Sequence, residues 1–365
     1  MGLAQNTAEE ISTISGGKDQ TLVLLKSQAI LGWGGTGSGR ITALNEDICG
    51  NKTPNTGAVS VGQPARYSQI SAGCGISLGV SQQQPYIWGF CQIGIGGKEC
   101  FTEVPSPISE LTKISKVAAG QLIFAAIDEN ARVYTWGLNV DSALGRTTTQ
   151  INVPPDLIPN LPPIKDIVIG DHFMLALSND HRVYGWGSNA AGQLGVGHLQ
   201  TVLSPIPLEC SVKLHQLTVG STHALAISSQ GEVYGWGSNH FGQSGDHRLS
   251  YISKPKRIVL PEPMTAVAAG MHYSLALSAS GKVYAWGWNG CGQLGMGDLQ
   301  SRTSPTVIPR LSGVRKIAAG EMHALAIGKY QFGKQQLLGW GSNASGQLGA
   351  AATKQTTPNP MFTIT

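Results

Sequence analysis

Charge is scarce in this chain. Only 13% of its 365 residues are Asp, Glu, Lys or Arg, about half the fraction of roughly 25% usual in soluble domains. The formal net charge is +4. Such a balance argues against a broad electrostatic footprint for nucleic acid. The densest basic stretch, Arg248 to Arg257 with Lys254 and Lys256, reads as a solvated outer loop. Cysteine is also sparse. The six residues, at 49, 74, 91, 100, 210 and 291, contain no C-x-x-C and no zinc spacing, which excludes the common structural zinc motifs. Scattered thiols suit a reducing cytosol or nucleus. No apolar run approaches the roughly 18 residues of a membrane helix. Glu9 and Glu10 precede any apolar run, so no signal peptide is expected. Asn6 stands where a myristoylation signal has Ser or Thr. Catalytic signatures are missing too: no H-E-x-x-H and no supported Cys/His pair. No cofactor is therefore expected, and exchange of a bound nucleotide is the only enzymatic activity left in view.

Glycine is the abundant residue. There are 48 of them, with 19 Pro, and no window sustains apolar residues at helical spacing. Seven Trp-Gly dipeptides, at Trp33, Trp88, Trp136, Trp186, Trp236, Trp286 and Trp340, stand 55, 48, 50, 50, 50 and 54 residues apart. A second marker keeps the same phase: a glycine closing a short apolar stretch, at Gly17, Gly73, Gly120, Gly170, Gly220, Gly270 and Gly320. The chain is seven copies of one unit. In repeat 5, Leu217–Val219, Ala224–Ile227 and Glu232–Trp236 read as short strands. Ser229-Gln230-Gly231 has hairpin chemistry, and the Pro-containing Ser253–Leu260 suits an outer strand.

Four antiparallel strands in about 50 residues, seven times over, predict an all-β, seven-bladed β-propeller. A linear β-solenoid is the competing architecture, with coils that are usually shorter. Residues 1–10 form an N-terminal extension. The single propeller occupies 11–365, with repeats at about 11–67, 68–115, 116–165, 166–215, 216–265, 266–315 and 316–365. The seven Trp are expected to pack between blades, each burying up to about 250 Å² and contributing at most ~6 kcal/mol. Closure could be in phase with the repeats or could exchange a terminal strand.

The pattern A-A-G-x-x-H-x-L-A-L-S-x-x-G-x-V-Y-x-W-G-x-N-x-x-G-Q-L-G stands at Ala268-Ala269-Gly270 to Gly295 and again, with departures, at Ala318-Ala319-Gly320 to Gly349. It resembles the regulator of chromosome condensation repeat, over about residues 11 to 365. The resemblance implies a seven-bladed propeller. It also implies a range of functions: guanine nucleotide exchange on the small GTPase Ran with chromatin docking, modules of ubiquitin ligases, trafficking regulators, a plant UV-B photoreceptor, and bacterial effectors acting on host GTPases. The photoreceptor signature places Trp after the repeat glycine. Here Lys18, Cys74, Gln121, Asp171, Ser221, Met271 and Glu321 occupy those positions, so light sensing is set aside. The chromatin-docking member carries a basic N-terminal tail, whereas this N-terminus is neutral to acidic. The Ran exchange factor carries a wedge inserted in its third blade, whereas repeat 3 here has the standard length.

Residues after each repeat glycine should ring one mouth of the propeller, where they can vary on a constant scaffold. Repeats 4 to 7 contribute Asp171, His172, Phe173, His223, His272, Tyr273, Glu321 and His323. Two readings stand. The histidines serve the repeat by bonding a neighbouring blade, or this arc binds a partner through its aromatic and ionisable groups. A histidine metal site is disfavoured, because blades hold the rings too far apart for ligand distances near 2 Å. Trp288, the one Trp outside the seven-fold set, is a contact candidate or packs against repeat 7. In repeat 1 the G-Q-L-G box is replaced by a Gly-rich loop with Thr36, Ser38 and Arg40, a secondary candidate for partner contact. It lacks the Lys-Ser/Thr of a phosphate loop.

The expected function is a monomeric protein-interaction propeller, cytoplasmic or nuclear, or delivered to a host cytosol as an effector. Its expected partner is a small GTPase of the Ran or Rab kind. A non-catalytic scaffold or targeting module is the alternative, and chromatin docking the third.

Overall fold

The computed structural model describes residues 11–35, 59–62, 64, 66–91, 100–148, 150–246, 248–331, 335–349 and 354–361. It shows seven four-stranded antiparallel sheets, each made of four consecutive strands. In blade 5 these are Leu214–Val219, His223–Ser228, Val233–Ser238 and Tyr251–Ile258. The inner strands of successive blades touch one another around a central channel.

The first inner strand, Ile11–Gly16, touches the last, Leu311–Ala319. Blades 1 and 7 are both built from consecutive strands. The ring therefore closes in phase with the repeats, without strand exchange. Side chains hold the seam: Trp33, Val23 and Ile14 of blade 1 share one core with Leu325, Ile327 and Leu348 of blade 7.

The second strands of blades 1 to 6 are buried along their whole length, His223–Ser228 and Tyr273–Ser278 being examples, and that of blade 7 over its first six residues. A blade packs against this strand on either side, so apolar residues run almost without interruption where a half-buried strand would alternate. The tryptophans lie in the same interfaces. Trp186 donates its Nε1–H to the Ala143 carbonyl of the preceding blade at 3.0 Å, and Trp236, Trp286 and Trp340 donate to the carbonyls of Gln193, Gln243 and Gln293 at 2.9 Å. The glycine after Trp286 has φ +103°, and a Cβ there would lie 2.5 Å from the His272 carbonyl oxygen. Only glycine fits that conformation and that approach.

In blades 4 to 7 the Asn and Gln after the Trp-Gly tie down the loop to the outer strand. In blade 6, Asn289 Oδ1 accepts from the Leu294 amide at 2.9 Å and Gln293 Oε1 from the Cys291 amide at 3.0 Å. These loops and the first hairpin turns open on one face, here the upper face. The second hairpin turns lie on the opposite, lower face. The basic stretch expected as an outer loop lies largely on the outer strand of blade 5, where Lys254, Lys256 and Arg257 pair with Glu209, Asp246 and Glu232.

Candidate partner-binding mouth

The upper end of the channel is a cavity of about 330 Å³, lined by the seven repeat glycines and the residues that follow them. Its rim is tied by backbone bonds between blades. The Lys18, Cys74, Asp171 and Met271 amides donate to the carbonyls of Gly73, Gly120, Ser221 and Glu321, at 2.9 to 3.1 Å. The Glu321 amide closes the circle on Gly17 at 3.0 Å. Glycine makes the approach possible, since a Cβ on Gly220 would lie 2.0 Å from the Gly270 oxygen. A constant backbone thus presents variable side chains.

The charged members interact. Lys18 Nζ lies 3.9 Å from Glu321 Oε2. Burial raises the Asp171 carboxyl above its usual range, opposed by its hydrogen bond to Ser221 and by His172, His272 and Lys18. Burial also raises Glu321; Lys18 opposes that shift and Asp171 adds to it. His272 is lowered by burial, with Asp171 acting in the opposite sense. Half-buried acids and a half-buried imidazole within electrostatic reach are poised to respond to a partner's charge.

Outside this ring stands an aromatic group. The Phe241 ring lies 5.5 Å from His272 and 6.3 Å from Trp288, centroid to centroid. Phe241 is 36% exposed. Trp288 therefore meets the loop of blade 5 in addition to its own blade, where its ring covers Gly290. Phe241 has no place in the arc expected from sequence. Its signal was a loop position where blades 4, 6 and 7 carry Ala191, Cys291 and Ser345.

Four expected contact residues are corrected by the structure. Phe173, His223, Tyr273 and His323 are wholly buried. Each begins a second strand, so its side chain enters the interface between blades and leaves the mouth. His223 Nε2 meets Ser274 Oγ of blade 6 at 3.0 Å, and His323 Nε2 meets Thr21 Oγ1 of blade 1 at 3.1 Å. The Tyr273 hydroxyl donates to the carbonyls of Gly320 and His323. Burial, with a smaller effect of His272, pushes His223 down to about 3, and burial pushes His323 down to about 4. Both are neutral links of the repeat. Asp171, His172, His272, Trp288 and Glu321 remain around the mouth, joined by Lys18 and Phe241. Thr36, Ser38 and Arg40 lie outside the described residues. Among the described residues, no three His, Cys, Asp or Glu side chains gather as metal ligands, and no helix is long and apolar enough to cross a membrane.

A family model for the RCC1-like domain matches residues 86–365. The chain belongs to the RCC1-like domain family. Solved relatives share the ring. Human WBSCR16 is 21% identical, with 85% of each chain covered and a TM-score of 0.75. Prp20p from Saccharomyces cerevisiae, studied for its binding to Gsp1p and histones, is 21% identical over 88% of this chain and 82% of its own, with a TM-score of 0.77. Yeast RCC1 (Prp20) bound to Kap60 is 20% identical over 89% and 81%, with a TM-score of 0.79. At such identities the likeness of this RCC1-like chain to them is one of fold.

Proposed function

We propose that the upper mouth binds a small GTPase of the Ran or Rab kind and alters its nucleotide state or location. The observation that carries this reading is the contrast at the rim. A hydrogen-bonded glycine scaffold holds half-buried Asp171, Glu321 and His272 beside the aromatic pair Phe241 and Trp288. Interfaces draw most of their energy from a few residues, aromatic anchors prominent among them. Exchange factors act by disturbing nucleotide and metal contacts on the GTPase, so a missing catalytic motif is compatible with that activity. The binding of Prp20p to Gsp1p supports the choice of partner class.

The test is capture with a panel of small GTPases, each nucleotide-free, GDP-loaded and GTP-loaded. Preference for one nucleotide-free GTPase is the expected result, lost when Asp171, His272, Phe241 and Trp288 are replaced together by alanine in a protein that still melts cooperatively. Capture unchanged by those replacements would overturn the site.

A second reading, binding without exchange, is favoured by blade 3. Its third strand, Val133–Leu138, and outer strand, Asn152–Leu157, are joined by a loop whose described residues hold only a short 3-10 turn, Val140–Ser142. No inserted wedge stands among them. A nucleotide-release assay separates the two: a scaffold or targeting module binds and leaves the release rate unchanged.

A further inference from the structure

The lower end of the channel has the opposite electrical character from the upper. One register position recurs in every blade, where an inner-strand residue faces the last apolar residues of the second strand. It is filled by Thr13, Gln69, Lys116, Asp166, Gln216, Ala266 and Lys316. The channel cavity here is about 450 Å³, and Thr13, Gln69, Lys116 and Asp166 line it. Next to this position the inner strands of blades 4, 5 and 7 carry a bulge. The residues skipped there include Lys165, His215 and Arg315, and a bulge re-aims the side chain it carries.

Two of these, Lys165 and His215, converge at blades 4 and 5. The His181 and His215 rings stack at 4.0 Å. Lys165 Nζ lies 3.4 Å from His181 Nδ1. His215 titrates below its usual range, first through desolvation and then through His181, Lys165 and Lys213, which places all four within electrostatic reach. The one acid of the register ring, Asp166, is matched by Lys116 at 3.2 Å. Hairpin acids of the same face are matched as well: Glu129 with Lys113, Asp128 with Arg132, Asp180 with Arg182, Glu232 with Arg257, Glu262 with Lys282. Among the described residues, no acid pairs with Lys165, Lys213 or Lys316.

We propose that the lower mouth is a second binding site, which takes an acidic, extended segment of a protein partner, with Lys165, Lys213 and Lys316 meeting its carboxylates. The shape selects this occupant. Lys165 and Lys316 stand on inner strands at the lower end of the channel, and Lys213 just before one, beside a concave opening that a single peptide chain can enter with its side chains. A nucleic acid duplex is too broad to enter a cavity of about 450 Å³. Two faces of opposite character allow one ring to hold two partners at once, with electrostatic complementarity setting which partner docks on which face.

The probe is a fluorescent oligoglutamate peptide, read by anisotropy against the full chain at low salt, with a short DNA duplex as comparator. The wild type is expected to bind the peptide more tightly than the duplex. Lys165→Glu, Lys213→Glu and Lys316→Glu combined should weaken peptide binding by about tenfold or more. The three Gln replacements should weaken it less, and they decide the matter if the charge-reversed protein does not fold. Asp171→Asn on the upper face should leave peptide affinity unchanged. No peptide binding by the wild type, equal affinity in a folded lysine variant, or tighter binding of the duplex would overturn the proposal. None of these outcomes bears on the upper mouth.

Discussion

His323 Nε2 lies 3.1 Å from Thr21 Oγ1, joining the last blade to the first across 302 residues of sequence. The same strand-start position links other pairs of blades. Gln20 Nε2 donates to the Ile76 carbonyl and to Ser77 Oγ of blade 2, and His223 meets Ser274 of blade 6. One geometric task is thus performed by Gln in blade 1, His in blades 5 and 7, and Tyr in blade 6.

A pH dependence of stability follows. His223 and His323 titrate near 3 and 4 when folded, below the ordinary 6.5 of the unfolded chain. Their folded pKa values are depressed, so the unfolded state takes up protons first as pH falls. Stability present above about pH 6.5 is lost on the way down to about 4, by about 2 kcal/mol per histidine at pH 5. Thermal melts between pH 7 and 5 should show this loss. His223→Gln with His323→Gln, which copies the Gln20 link of blade 1, should flatten the profile. A profile as steep as wild type would show that the histidines are not its source.

Tyr273 and Trp288 separate structure from contact. Tyr273→Phe removes a buried hydroxyl from the carbonyls of Gly320 and His323 and should cost about 1–3 kcal/mol of stability. Partner affinity should stay intact. Trp288→Ala or Phe241→Ala should leave the melting temperature within about a degree or two and weaken partner binding by about tenfold or more. Paired melts and affinity measurements check both.

Gln243 couples the two roles. Its side chain is buried, accepts the Phe241 amide at 3.0 Å and donates to Ser238 Oγ at 3.3 Å. Gln243→Ala should lower stability by about 1–3 kcal/mol and also reduce partner affinity, because the loop carrying Phe241 loses its anchor. Stability lost without any change in affinity would mean that Phe241 is held by other contacts.

Gly287→Ala tests the repeat's conformational requirement. With φ +103° and a Cβ 2.5 Å from the His272 oxygen, the replacement should cost roughly 1–3 kcal/mol or more. Denaturant unfolding measures it. Gly62→Ala is the control, with nothing within 4 Å of the added Cβ.

Much of the ring could be read in advance. The Trp-Gly and closing-glycine markers predict seven four-stranded blades, which the structure shows. The expected mouth was harder to resolve. Asp171 lines it while Phe173, two residues on, is buried, because the second strand has already begun. A list of consecutive residues conceals that change of direction. Phe241 was missed for the converse reason: its loop is remote in sequence from His272, and only the packing of blades 5 and 6 brings the rings together.

By itself the sequence determined the fold, because a period kept seven times repeats one local solution of strand, turn and buried indole until a ring is filled. It also shows no C-x-x-C and no H-E-x-x-H anywhere along its length. Tertiary structure alone decided the manner of closure, the inward turn of the strand-start histidines and the opposite character of the two mouths. Lys165, His215 and Arg315 come from three separate repeats of the chain, and Lys116 and Lys316 share another register position. No local stretch of sequence is basic there. Charge gathers at the lower mouth because one period of sequence becomes one step around a channel.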